Sequence, residues 1–182
     1  MFNFGYNFFG FSNPFMNFFM PFNPYNMAFQ WQTNNSIFTA NKFNQDMPYN
    51  KAKGEALARN AIAGLPSTPP ETPLCARYVK NAIVNTGLGS YINGNGEQTK
   101  YMLRQNLNFK EVKVKGEDLA NLPAGSVVVY DAFDKGTYSD GNPFQIGKNG
   151  HTLIAKGDGT GISDRPEDSI IPSDRAYAFI PV

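Results

Sequence analysis

From residue 51 onward the apolar and polar positions follow two different periods, one helical and one extended. Over Lys51 to Ala63, Leu57, Ala58, Ala61 and Ile62 fall on one side at helical spacing, and Gly64 and Pro66 end the run, so a short helix is predicted. Ser67-Thr68-Pro69-Pro70-Glu71 reads as an extended linker. Thr72 then offers an N-cap, with Pro73 at the first position of a second helix that runs to about Asn85 and stops at Gly87. Gly96 to Leu107 reads as a third helix with Tyr101, Met102 and Leu107 available to the core. The period then shortens. Phe109 to Val114 alternates, Val127 to Tyr130 is a β-branched run of the kind found in buried strands, and Ala176 to Ile180 makes a last strand. His151 to Lys156 and Gly161 to Asp164 flank an Asp158-Gly159 step that predicts a hairpin. Helices first and an antiparallel sheet afterwards give an α+β layer architecture.

Before residue 51 neither period is present. Residues 1–50 hold 12 of the 16 Phe and 11 Asn but only two charges, Lys42 and Asp46. Proline recurs there too often for a helix. This segment reads as a low-complexity tail, either a leader of little fixed structure partly draped on the domain or a docking and assembly element, and residues 51–182 as the folded domain.

A formal net charge of +1 offers no basic field for nucleic acid or an anionic membrane surface. No run of 18 apolar residues suggests a membrane span. The tail lacks a basic residue before Lys42 and a small-residue cleavage site, so it does not read as a secretory signal. A lone cysteine excludes an internal disulfide, and one Cys with one His cannot build a structural zinc site. Asp131, Asp134, Asp140 and Asn142 are oxygen ligands without EF-hand spacing. Gly141 to Asn149 lacks the Ser or Thr of a phosphate loop and precedes a strand. No metal or cofactor is expected.

The two singletons remain. Cys75 falls near the third position of the second predicted helix, where unpaired N–H groups and the helix dipole favour negative charge and can bind an oxyanion. His151 opens a strand and is the only imidazole available as general acid and base. Asp164 ends the strand across the predicted hairpin and would lie beside His151 as its orienting carboxylate. Each residue alone has a plainer reading: a small buried hydrophobe, a structural histidine, and an ordinary turn at Ser163-Asp164-Arg165-Pro166. Together they form one geometric proposal for a thiol hydrolase.

At these residues the sequence resembles a known family. Cys75-Ala76-Arg77-Tyr78-Val79, Pro123-Ala124-Gly125-Ser126-Val127-Val128-Val129-Tyr130 and Gly150-His151-Thr152-Leu153-Ile154-Ala155, with Ile162-Ser163-Asp164 after them, look like a cysteine, histidine-dependent amidohydrolase/peptidase (CHAP) domain over roughly residues 70–182. Asp164 is one methylene shorter than the Glu often found there, and Asp158 or Asn149 could stand in for it. The NlpC-type peptidases are related but fit less well, since Cys75 lacks their Asp before it and their Ser-Gly after it. The resemblance implies a papain-like α+β fold and cleavage of amide bonds in bacterial cell-wall peptidoglycan.

The expected protein is a monomeric cysteine amidase or endopeptidase acting on peptidoglycan peptide. Tyr78, Tyr138 and Phe144 are the expected substrate contacts, the last two on a loop from Phe133 to Lys148 that borders the groove. A lysin, a wall-remodelling enzyme and an injected antibacterial effector with an immunity or delivery partner all fit, each acting outside or across the producing cell's membrane. The contrasting readings are a papain-like hydrolase, deamidase or transglutaminase acting on protein, and a non-catalytic assembly protein working through its tail.

Overall fold

A computed structural model describes residues 48–182, and of the low-complexity segment only Pro48 to Asn50 fall within it. Tyr49 and Asn50, read from sequence as the end of the tail, are tied to the domain: the Tyr49 hydroxyl donates to the Ala124 carbonyl at 2.9 Å and the Asn50 N–H to Pro181 O at 2.8 Å. The Asn50 side chain then accepts from Lys53 N, capping helix α1 over Lys51–Ala63, the predicted range.

Helices α2 (Cys75–Asn85) and α3 (Thr99–Arg104) follow, and the rest of the chain is mostly sheet. Six strands run in the order β1 (Phe109–Val112), β8 (Tyr177–Pro181), β2 (Val127–Tyr130), β5 (His151–Ala155), β6 (Gly161–Ile162) and β7 (Pro166–Glu167), all antiparallel. A separate hairpin joins β3 (Lys135–Thr137) to β4 (Pro143–Gln145). The molecule is thus α+β, with helices packed on an antiparallel sheet.

The central strands are covered on both faces, which is why Val127 to Tyr130 reads as an unbroken apolar run rather than an alternation. Val127 and Val129 join Leu57, Val79, Ile83, Leu103, Ile154 and Phe179 beneath the helices. Val128 and Tyr130 turn the other way, to Leu119, Leu122, Leu153, Ile170 and Ile180, where a short 3₁₀ turn over Gly116–Asn121 supplies part of the cover. Truncating a fully buried side chain such as Ile83 to Ala would cost about 2–5 kcal/mol.

Three sequence expectations are corrected. The third helix is half the predicted length, and of the three side chains assigned to the core only Met102 is buried, while Tyr101 and Leu107 face solvent. Helix α2 begins at Cys75, with Leu74 as its cap residue, rather than at Pro73 after a Thr72 cap. The β5–β6 pairing ends at Ile154↔Ile162; the chain bends at Ser163, where the Ser163 N–H meets Arg165 O, and returns as β7.

Candidate functional site

Cys75 is the first residue of α2, so its backbone N–H has no intrahelical acceptor. The Leu74 carbonyl before it accepts from both Arg77 N and Tyr78 N, which closes the first turn. The remaining tether comes from far along the chain. Asp164, buried to 2% exposure, accepts the Leu74 N–H on Oδ2 at 2.5 Å, and its other oxygen takes the Ser163 hydroxyl at 3.2 Å and Arg165 Nε at 3.3 Å.

His151 opens β5 opposite Tyr130, and the two rings stack with centroids 5.9 Å apart. Its Nε2 lies 2.8 Å from Glu167 Oε1, and Cys75 at the start of α2 is close enough for its side chain to act on the imidazole. Burial alone would lower the imidazole pKa, but the hydrogen bonds to Cys75 and Glu167, with the charges behind them, outweigh it and raise the value from 6.5 to about 10. Both neighbours thus favour the protonated ring.

The carboxylate beside His151 is thus Glu167, where the sequence had suggested Asp164, and strand parity explains the exchange. Directly paired residues point to the same side of an antiparallel sheet. Glu167 pairs Gly161 and Gly161 pairs Ala155, so Glu167 shares the side of Ala155, Leu153 and His151. Ile162 pairs Ile154 on the opposite side, under the helices, and Asp164 two residues on reaches the start of α2 instead. Neither stand-in is shown bonded to the ring. Asp158 accepts from Thr160 N and Oγ1 within the hairpin turn, and Asn149 offers its backbone oxygen to Glu97 N at 3.1 Å. Periodicity does not single out Glu167, because it sits on a two-residue strand; the signal in the sequence is the turn potential of Ser163 to Pro166, which sends the chain back along Gly161.

The loop before α3 buttresses the histidine. A Cβ on Gly96 would lie 2.9 Å from the Gly150 carbonyl carbon and the His151 nitrogen, and one on Gly150, whose φ is +68°, would lie 2.6 Å from Glu97 N and Cβ. Only glycine permits that approach at both points. Glu97 also accepts the Ala132 N–H on Oε2 at 3.0 Å, joining this loop to the segment after β2. From the other side Lys80, buried on α2, donates to Gly94 O at 2.8 Å, so one loop connects the cysteine helix to the histidine strand.

Of the expected substrate contacts, Tyr78 is half-buried on α2 one turn after Cys75, and Tyr138 is half-buried where β3 turns toward β4. Phe144 is buried, its ring packed on Gly136 and edge-on to Tyr138 at 5.4 Å, so it stabilises the hairpin and presents little surface to a ligand. Among the described residues no group of three or more His, Cys, Asp or Glu side chains is placed to hold a metal, and no helix is long and apolar enough to cross a membrane.

A thiol beside an imidazole that a carboxylate orients, at a backbone N–H without an intrahelical acceptor, is a set suited to acyl transfer. No protein-family model and no curated protein matches the chain. Among solved structures it resembles the type VI native effector–immunity complex Tae3–Tai3 from Ralstonia pickettii, at 19% identity and a TM-score of 0.50, over 71% of this chain and 98% of that one. The selenomethionine form of the same complex gives 20% identity and a TM-score of 0.45, over 69% and 99%. The first likeness is one of fold.

Proposed function

We propose that this chain is a cysteine amidohydrolase or endopeptidase that cleaves amide bonds in bacterial peptidoglycan, with Cys75 as nucleophile, His151 as acid and base, and Glu167 as the orienting carboxylate. The observation that carries the reading is His151 Nε2 held at 2.8 Å by Glu167 on the ring that the Cys75 side chain adjoins. The Cys75 sulfur attacks the amide carbonyl with its proton taken up by His151, and the developing oxyanion is stabilised at the Cys75 N–H of the α2 start. With Nε2 committed to Glu167, the other ring nitrogen passes its proton to the leaving amine as the C–N bond breaks, leaving a thioester on Cys75. Water then attacks the thioester as His151 takes its proton, the C–S bond breaks to release the acid product, and the proton on His151 returns to the Cys75 sulfur. Glu167 keeps its charge throughout and stabilises the imidazolium.

Peptidoglycan as substrate is supported by the CHAP-like segments around Cys75 and His151, and by the fold likeness to an effector that is bound by its immunity protein. The same likeness favours an antibacterial effector with its own immunity partner over a housekeeping wall enzyme. Incubating the full chain with purified sacculi and identifying released muropeptides by mass spectrometry tests the reading. Cleavage at one peptide bond, abolished in Cys75→Ala, is expected; release that persists undiminished in Cys75→Ala, or none from the intact protein, overturns it.

A further inference from the structure

Phe133 has a backbone conformation and an exposure that the fold alone does not account for. Its φ is +58°, and among the described residues it is the one non-glycine with a positive value, whereas Gly87, Gly94, Gly125, Gly141, Gly150, Gly157 and Gly159 fill the other such positions. Holding a bulky residue there stores about 1–3 kcal/mol. Burial does not offset it, for the side chain is 62% exposed.

The strain is imposed from both flanks. Ala132 N is bound to Glu97 Oε2, and the Phe133 N–H points to Gly147 O at 3.4 Å. Asp134, fully buried, accepts from the Ser173 hydroxyl and from Lys135 N at 2.9 Å, and Arg175 stands 3.6 Å away. Both anchors on the Glu97 and Gly147 side lead to the imidazole: Gly96 packs on the Gly150–His151 peptide, and Gly147 begins the turn that Gly150 N closes at 3.1 Å just before His151. Phe133 itself lies three residues past Tyr130, which pairs with His151.

We propose that Phe133 is a substrate-contacting residue, an aromatic platform fixed beside the His151 end of the sheet on which the aliphatic part of the substrate's peptide lies. The inference deepens the reading above and rests on it. It moves the aromatic contact from Phe144, which is enclosed in the hairpin, to a ring that reaches solvent. An exposed aromatic ring on a backbone tied at both flanks gives apolar contact area with only two side-chain torsions to order, which is how aromatic anchors act in recognition.

The test compares the full-length protein with Phe133→Gly and Phe133→Tyr on purified peptidoglycan, following the rate of muropeptide release against substrate concentration and the thermal midpoint of each variant. Glycine accepts the positive φ, so Phe133→Gly is expected to fold with an equal or higher midpoint. KM should rise roughly tenfold with kcat within about twofold, as loss of one side chain's apolar contact implies. Phe133→Tyr should restore KM. An unchanged KM in Phe133→Gly, or no restoration by Tyr, overturns this inference while the hydrolase reading stands. No cleavage by the unmodified protein overturns both.

Discussion

Asp164 holds the backbone N–H of Leu74 at 2.5 Å, and so fixes where the cysteine helix begins, although 90 residues separate the two in the chain. Its oxygen does for α2 what a local N-cap side chain does for most helices, at a Leu74 that makes no side-chain cap bond of its own. Asp164→Asn retains an acceptor oxygen and is expected to keep activity within about tenfold, whereas Asp164→Ala takes this acceptor from the half-buried Leu74 N–H and should cost about 1–3 kcal/mol. Urea midpoints and kcat of the two variants check this. An Asp164→Asn defect as deep as that of a Glu167 variant would mean that Asp164 acts on the imidazole after all.

Glu167→Gln removes the charge beside His151 while keeping a side chain of the same length. The expected outcome is a fall in kcat of roughly 10²–10⁴-fold with KM little changed, the pattern of an orienting carboxylate. Steady-state kinetics on sacculi or a defined muropeptide measure it. A kcat within twofold of the parent would remove Glu167 from the reaction.

The raised pKa of His151 has a direct stability consequence. Its folded value of about 10 stands above the ordinary 6.5, so protonation favours the folded state. The contribution is fully present below about pH 6.5 and is lost as pH rises through about 10. Denaturation midpoints of the parent should therefore fall relative to those of His151→Gln across that window. The chain has one histidine, so an untagged sample gives a single imidazole signal by NMR. A transition near pH 6.5 in that signal would contradict the hydrogen-bonded arrangement.

Thr152, next to His151 and fully buried, has a hydroxyl with no hydrogen-bond partner among the described residues. Thr152→Val keeps the shape and removes the desolvated oxygen, so a gain of about 1–3 kcal/mol is expected, read as a higher urea midpoint at constant m. A lower midpoint would show that the hydroxyl has a partner in solution.

The parts of this fold that were legible in the sequence are those whose physics is local. Helix α1 has the predicted bounds because its apolar spacing and its stop at Gly64 lie within the segment itself, and β2 stands out because a strand covered on both faces needs four apolar residues in a row. Cys75 and His151 could be singled out because each is the sole member of its type in a local setting that suits acyl transfer. The partners of those two residues were not legible. Glu167 reaches His151 only through the pairing of β7 with β6 and β6 with β5, and Asp164 meets Leu74 only through the docking of α2 on the sheet. Tyr101 and Leu107 mark the converse failure, apolar residues at plausible helical spacing that ended in solvent, Leu107 because α3 stops at Arg104 and Tyr101 because it lies on the side of that helix away from buried Met102 and Leu103.

The place of β7 at the outer edge of the six-stranded sheet separates the fates of the two residues in the His151–Glu167 pair. His151 belongs to an inner strand between β2 and β6, whose amides should exchange with deuterium only when the whole domain opens; Glu167 belongs to a two-residue ladder that can fray alone. Each such opening parts carboxylate from imidazole while the core stays intact. Activity is therefore expected to fade several degrees below the cooperative melting transition, and additions that clamp the sheet edge should raise the temperature at which it fades without moving the melt itself.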